Sequence, residues 1–464
     1  MKQNMTTRFR RAAQGGTIVL LAALAVGACS VQDSLLEQQQ PQVIKPEDVQ
    51  SATGALATYN GVLGRLRTSL NGGNNNTESI WNFAGLMSDE FRVGDTFVER
   101  INADQRTSQD NDGVVTTLYN KVQQSRGYAR DAINLLNTYS PAEKTKIAEM
   151  YMVMGFMETT LGQNFCNGIP LGETVNGVAQ YTKPLTNVEV FNQAIARYDT
   201  ALALLTGTDA ATVAVRNATL ISKARTQVDL GQFAAAATTV GAATTIPLAY
   251  TYLITYSIPT QSNEWWQMVT SLKRYSVADT ADGTGFKNNL PFASANDPRV
   301  KVGRTTTKAF DGITNWDELQ NWAREDGISL VNGLDARLIE AEAQLQQKNA
   351  AGWLAMNTIL NTLRASPPKY GNLTIAAMGA LPLPTSQVEA ENQFFREKAF
   401  WQYGRGQRLS DMRRLVRQYS RPVDAVYPTG NFHKTGTYGP NVAFPVPDAE
   451  KSNPNFNGCL DRSA

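Results

Sequence analysis

Small residues set at fixed distances along apolar helical stretches constrain this chain more than any other feature. In residues 217–247, Ala224, Gly231, Phe233, Ala236 and Ala243 stand at positions 8, 15, 17, 20 and 27 of the stretch. Apolar residues around them recur every three or four positions, the spacing of amphipathic helices. An alanine on each of two helices lets their backbones approach closely where they cross, and the glycine suits the turn between them. A related pattern occurs earlier. Gly155 and Gly162 lie on one predicted helix, and Ala194, Tyr198 and Ala201 on the next, with the loop QNFCNGIPLGETVNGVAQYTKPLT between. Residues 335–365 form a looser third pair.

This spacing is that of tetratricopeptide-like helix pairs. Helical periodicity also covers 46–70, 113–138, 142–161, 187–205, 210–230, 232–243, 333–347, 351–365 and 386–419. Pro46, Glu47 and Asp48 suit a first helical turn, and Ser140 to Glu143 reads as a capping box. The predicted fold is mainly α, with helix pairs at about 113–247 and 333–365 forming a scaffold. Residues 71–112 and 244–332 lack that periodicity and are rich in Asn, Asp, Gly and Thr. Trp81, Trp265, Trp266, Trp316 and Trp322 fall in them. Such long irregular segments are usually functional or disordered, and the tryptophans favour an ordered, functional second half.

The N-terminus carries Lys2, Arg8, Arg10 and Arg11 and then the apolar run 17–28 of 12 residues. A membrane-spanning helix needs ~20, so the run reads as a signal peptide, residues 1–28. Val26, Gly27 and Ala28 before Cys29 resemble a bacterial lipobox, in which a diacylglycerol joins the cysteine sulfur and the chain is cut just before it. Residues 29–45 are polar and proline-interrupted, a flexible tether from lipid to the body at 46–464. Each buried lipid CH₂ contributes ~0.8 kcal/mol, so two or more chains anchor stably.

Loss of residues 1–28 takes the formal charge from +2 to −2, because that segment holds four basic residues and no acid. A near-neutral body lacks the basic excess of a nucleic-acid binder. Cys166 and Cys459 are the two other cysteines, and in an oxidising compartment they are expected to pair, with two buried thiols as the alternative. The single histidine, His433, leaves no zinc site built on two or three histidines and disfavours a histidine-based triad; it reads as an exposed loop residue. Ser108, Asp110, Asp112 and Gly113 mimic part of a calcium loop, but Tyr119 stands where the bidentate glutamate belongs, so no metal or other cofactor is expected.

Taken in order, Cys29, GQNFCNGIPLGE, KARTQVDLGQFAAAATTV, RLIEAEAQLQQKNAAGWLAMNTILNTLRA, REKAFWQYGRGQRLSDMRR and FPVPDAEKSNPN resemble the SusD/RagB family of bacterial outer-membrane nutrient-binding lipoproteins. The resemblance spans nearly the whole mature chain. The residues of REKAFWQYGRGQRLSDMRR themselves read as a half-buried helix pair with arginine–carboxylate bridges about Gly404 to Gly406. The resemblance implies a helical half that docks on a SusC-like TonB-dependent transporter and an irregular half that meets an oligosaccharide, or in some relatives a peptide. It implies a receptor, not an enzyme, lipid-anchored at the outer membrane and facing the cell surface.

A glycan receptor wants exposed aromatic platforms with amides and charged groups around them. The candidates are Trp81, Asn82, Arg92 and Asp95 in the first irregular segment, and Asn263, Trp266, Trp316 and Trp322 in the second, with Trp81, Trp266 and Trp316 as the leading platforms. Two other classes stay open. One is a glycoside hydrolase built on two carboxylates brought together by folding. The other is a helical-repeat scaffold that binds protein only. No G-x-S-x-G, P-loop or H-E-x-x-H pattern is present.

Overall fold

The structure is a computed structural model that describes residues 49–73, 78–175, 178–241, 246–280, 289–370 and 372–459. The signal peptide, Cys29 and the tether lie outside the described residues, as does Ala243. Among the described residues, no helix is long and apolar enough to cross a membrane.

Helix α1 (Ala52–Asn71) starts at Ser51, whose side chain accepts from the Gly54 amide at 3.0 Å. The expected first turn at residues 45–48 is also outside the described residues. Next come α2 (Ile80–Met87), strand β1 (Phe91–Val93) and α3 (Val98–Asp104). They occupy the stretch read as irregular. All eight residues of α2 are buried. A helix enclosed on every side shows no amphipathic stripe, so its sequence carries no periodic signal.

Helices α4 (Gly113–Tyr139) and α5 (Lys144–Asn164) form the first pair of the scaffold. Ser140 to Glu143 is not a capping box: α5 begins at Lys144, and no side chain caps it. After α5 come short strands β2 (Ile169–Pro170), β3 (Glu173–Val175), β4 (Val178–Gln180) and β5 (Pro184–Leu185). Then follow α6 (Asn187–Leu204), opened by a Thr186–Glu189 capping box, α7 (Ala210–Asp229) and α8 (Phe233–Val240). From α4 to α8 each helix packs on the next. The small residues sit where the spacing places them. A β-carbon on Gly155 would lie 2.9 Å from the Tyr198 ring, and one on Gly162 would lie 2.5 Å from the Phe191 ring. Ala224 and Ala236 are fully enclosed between α7 and α8.

The second irregular stretch holds β6 (Thr251–Ile254), a π-helical turn at Trp266–Ser271, β7 (Tyr275–Val277), β8 (Val302–Lys308), β9 (Asn315–Leu319) and β10 (Ile328–Asn332). Strands among the described residues pair only in two-stranded antiparallel sheets, β1–β7, β2–β5, β3–β4, β6–β10 and β8–β9. The architecture is therefore mainly α.

Helices α9 (Gly333–Leu345) and α10 (Ala350–Ala365) form the predicted late pair, and α11 (Gln387–Trp401) and α12 (Arg408–Arg417) follow. The periodicity over 386–419 is interrupted between them, where Gly404 and Gly406 take φ of 69° and 64°. Buried ion pairs hold this turn: Arg405–Asp335 at 2.6 Å, Arg414–Glu342 at 2.6 Å and Lys398–Asp411 at 2.7 Å. Arg413 donates to the carbonyls of Gly162, Gln163 and Phe165, satisfying the end of α5. The chain closes with α13 (Val423–Val426) and a 3₁₀ turn at Asp448–Ser452. Cys166 and Cys459 form a disulfide, with Cα atoms 6.0 Å apart, that staples this tail to the loop after α5.

Candidate functional site

Strand β1 pairs with β7, Phe91 opposite Val277 and Val93 opposite Tyr275, and the β8–β9 hairpin packs beside them. Beyond the ends of these strands four loops meet. The Gly94 amide donates to the Arg274 carbonyl at 2.8 Å, Phe310 N to Lys273 O at 2.9 Å, and Asp311 N to Gly94 O at 3.0 Å. Lys434 donates to the Asp95 carbonyl at 2.8 Å and pairs with the Asp311 carboxylate. The approach at Gly94 leaves no room for a side chain, since a β-carbon there would lie 2.3 Å from that of Ala309. Asp311 ties the hairpin tip by accepting from the Thr314 and Ile313 amides at 2.9 and 3.0 Å.

This framework carries an apolar and cationic surface. Phe97 and Phe310 are each 53% exposed, and Ile313 is 66% exposed. The Arg274 guanidinium lies 4.0 Å from the Phe310 ring centre and 5.4 Å from that of Phe97, and the Arg100 guanidinium lies 4.8 Å from Phe97. Asp95 holds both arginines, at 2.7 Å to Arg274. Burial alone would raise the Asp95 carboxyl, but the hydrogen bonds from Arg274 and Arg100 outweigh it and hold the group below the usual carboxylate range. Asp311 is likewise depressed, to about 2: burial opposes the shift, and Lys434 with the turn amides overcomes it. Two ring faces around a fixed guanidinium can take the C–H face of a sugar or another flat, partly apolar group.

The residues singled out from sequence do not form one site. Asp95 belongs to this surface as its anchor. Arg92 lies beneath it, bonded to Asp317 at 3.0 Å and to the Asn315 carbonyl at 2.8 Å. Trp316 is only 7% exposed; its indole N–H donates to Val269 O at 2.9 Å and Lys273 covers the ring at 4.7 Å. Trp81, at 2% exposure, is no platform: its indole fills the space over Gly406, where a β-carbon would come within 2.1 Å of the ring. Asn82 beside it is fully buried. Asn263 is interior too, donating to Asp326 O and accepting from the Trp265 amide. Trp266 and Trp322 are half-buried, the first with Arg324 5.3 Å from its ring, the second against Gly404 in a small cavity with Arg299 and Trp401.

His433 departs from its expected exposure. Its ring is nearly enclosed, with Nε2 2.9 Å from the Val93 carbonyl, and desolvation pushes its pKa down to about 4. It is a neutral packing residue under the loop junction. Among the described residues no cluster of three or more His, Cys, Asp or Glu could hold a metal ion.

No family model and no curated protein sequence matches the chain. Solved structures do. A SusD-like protein from Bacteroides fragilis matches with a TM-score of 0.65 at 10% identity, over 90% of this chain and 98% of that one. A SusD-like carbohydrate binding protein from Bacteroides vulgatus matches with a TM-score of 0.63 at 14% identity, over 88% and 97%. A SusD superfamily protein from Parabacteroides distasonis matches at 0.61 and 14%, over 88% and 98%. Such identities speak for architecture alone, and the fold of this chain is that of the SusD superfamily.

Proposed function

We propose that this chain is a lipid-anchored outer-membrane receptor of the SusD/RagB type. It binds an oligosaccharide at the surface formed by Phe97, Arg274 and Phe310 and passes it to a SusC-like TonB-dependent transporter. The observation that carries the reading is the exposure of two aromatic rings about one fixed arginine, in the half of the molecule that is not built from helix pairs. The fold supports it, as does the carbohydrate binding named for one structural relative. The lipobox at Cys29 supports the anchor.

The surface binds rather than hydrolyses in this reading. Glycoside hydrolysis by paired carboxylates needs one of them protonated as the acid. Asp95 and Asp311, the carboxylates at the junction, are both held ionised by their cations.

Calorimetric titration with oligosaccharides prepared from starch, xylan and mannan tests this. One series is expected to bind without release of product. Phe97→Ala or Phe310→Ala should weaken it about tenfold, the scale of a lost aromatic stack, with an unchanged melting temperature. Binding indifferent to both substitutions, or turnover of the bound glycan, would overturn the assignment.

A further inference from the structure

A second concave site lies on the helical side, between α4, the β3–β4 hairpin and the 3₁₀ turn near the C-terminus. It is a cleft of about 400 Å³, within the usual ~300–1,000 Å³ of small-molecule sites. Asn120, Gln123, Gln124, Gly127, Tyr128 and Asp131 line its floor at three- and four-residue spacing, one face of α4. Tyr181, 49% exposed, follows the hairpin, and Glu450 and Asn453 close the far side.

Gly127 has no packing reason to be glycine. It stands inside a 27-residue helix, where glycine weakens the helix. A β-carbon there would meet nothing within 4 Å, unlike those on Gly155 and Gly162. What Gly127 provides is open floor.

The walls are fixed and their charges are matched. Gln123 donates to the Pro170 carbonyl at 2.8 Å, Arg130 to Thr174 O at 3.0 Å, and Asn453 to Thr182 O at 3.0 Å. Buried Arg126 donates to Gln123 at 3.0 Å and to the Gly172 carbonyl, and lies 3.9 Å from buried Glu158. Arg130 pairs with Asp131 at 2.8 Å and Glu173 at 3.4 Å. The side-chain amides of Asn120 and Gln124 make no hydrogen bond to another described residue. The Arg65 guanidinium steadies the Tyr128 ring, 4.0 Å from its centre.

We propose that this cleft is a binding site for a short neutral saccharide, separate from the Phe97–Phe310 surface. Free amides and two tyrosine rings match hydroxyls and C–H faces. Compensated charges offer nothing extra to an anion, which would also face Asp131, Glu173 and Glu450.

Saturation-transfer NMR on the full chain tests it, with maltose, cellobiose, xylobiose and mannobiose as probes and digalacturonate as the anionic contrast. At least one neutral disaccharide should receive transfer. The signal should fall at least tenfold in Gly127→Leu, which fills the floor, fall several-fold in Tyr181→Ala, and return in Tyr181→Phe. The comparison is made in a Phe97→Ala/Phe310→Ala background, so that transfer at that surface does not contribute. The cleft assignment fails if no neutral probe responds, if digalacturonate is preferred, or if the signal survives in a Gly127→Leu protein with wild-type melting. A response in the parent chain that disappears in that background would also sink the cleft while leaving the receptor reading intact.

Discussion

Tryptophan is the side chain first sought in a sugar platform, yet here two phenylalanines hold the exposed positions. Nothing in residues 71–112 marks Phe97 over Trp81, because both are large aromatics in non-periodic surroundings. What separates them is a partner more than 300 positions away: Gly406 leaves a slot that Trp81 fills, whereas Phe97 lies beyond the last residue of β1, half exposed beside Arg100 and Arg274. At the other end of β1, burial acts on two carboxyls. Desolvation raises Glu90 to about 8 and Asp89 to about 7, against the opposing pull of Arg408. Glu90 still accepts from the Gly404 amide at 3.2 Å. A carboxyl raised in the folded state contributes stability that is complete below its unfolded pKa and is lost as pH rises through the folded value. His433, depressed to about 4, acts in the opposite sense, and its contribution is lost only as pH falls below about 6.5. The melting temperature should therefore fall between pH 6.5 and 8.5. Glu90→Gln, which keeps the acceptor and removes the ionisation, should make that fall shallower. An unchanged slope by scanning calorimetry would show that Glu90 ionises elsewhere.

Helix pairing was the most legible feature, because close crossing of two helices demands small residues at set intervals and therefore writes itself into the sequence. Two glycines in neighbouring helices make opposite predictions from the same substitution. Gly162→Ala forces a methyl into the Phe191 ring, at 2.5 Å before relaxation, and should destabilise by about 1–3 kcal/mol. Gly127→Ala enters open space in α4 and should stabilise by about 0.5–1 kcal/mol. Urea denaturation of both proteins checks the pair; equal effects would remove the packing argument. Elements without periodicity stayed illegible. Helix α2 is buried on all sides, and β1, β7 and β9 are strands of three to five residues whose register is decided by partners distant in sequence. Over 386–419 the apolar spacing carried through a turn that Gly404 and Gly406 make, so the break was visible in composition but not in periodicity.

At the scale of the molecule, the Cys166–Cys459 disulfide joins positions 293 apart and ties the C-terminal tail to the scaffold. Replacing both by alanine should cost about 2–4 kcal/mol, mainly by freeing the unfolded chain. A melting temperature unchanged from the oxidised parent would mean that the tail is held by its other contacts, such as Phe444 N to Asn164 O at 2.9 Å. The amino-acid sequence by itself determined the helical scaffold and its close crossings, which follow from local periodicity and side-chain size. It left Cys166 and Cys459 open between a disulfide and two buried thiols, and the tertiary structure joined them. Only the tertiary structure decided which aromatics meet solvent, that His433 is enclosed, and that Asp95, Arg274, Phe310 and Lys434 share one junction. Exposure and convergence depend on the packing of segments hundreds of residues apart, and no local pattern encodes where a distant glycine leaves space for a ring.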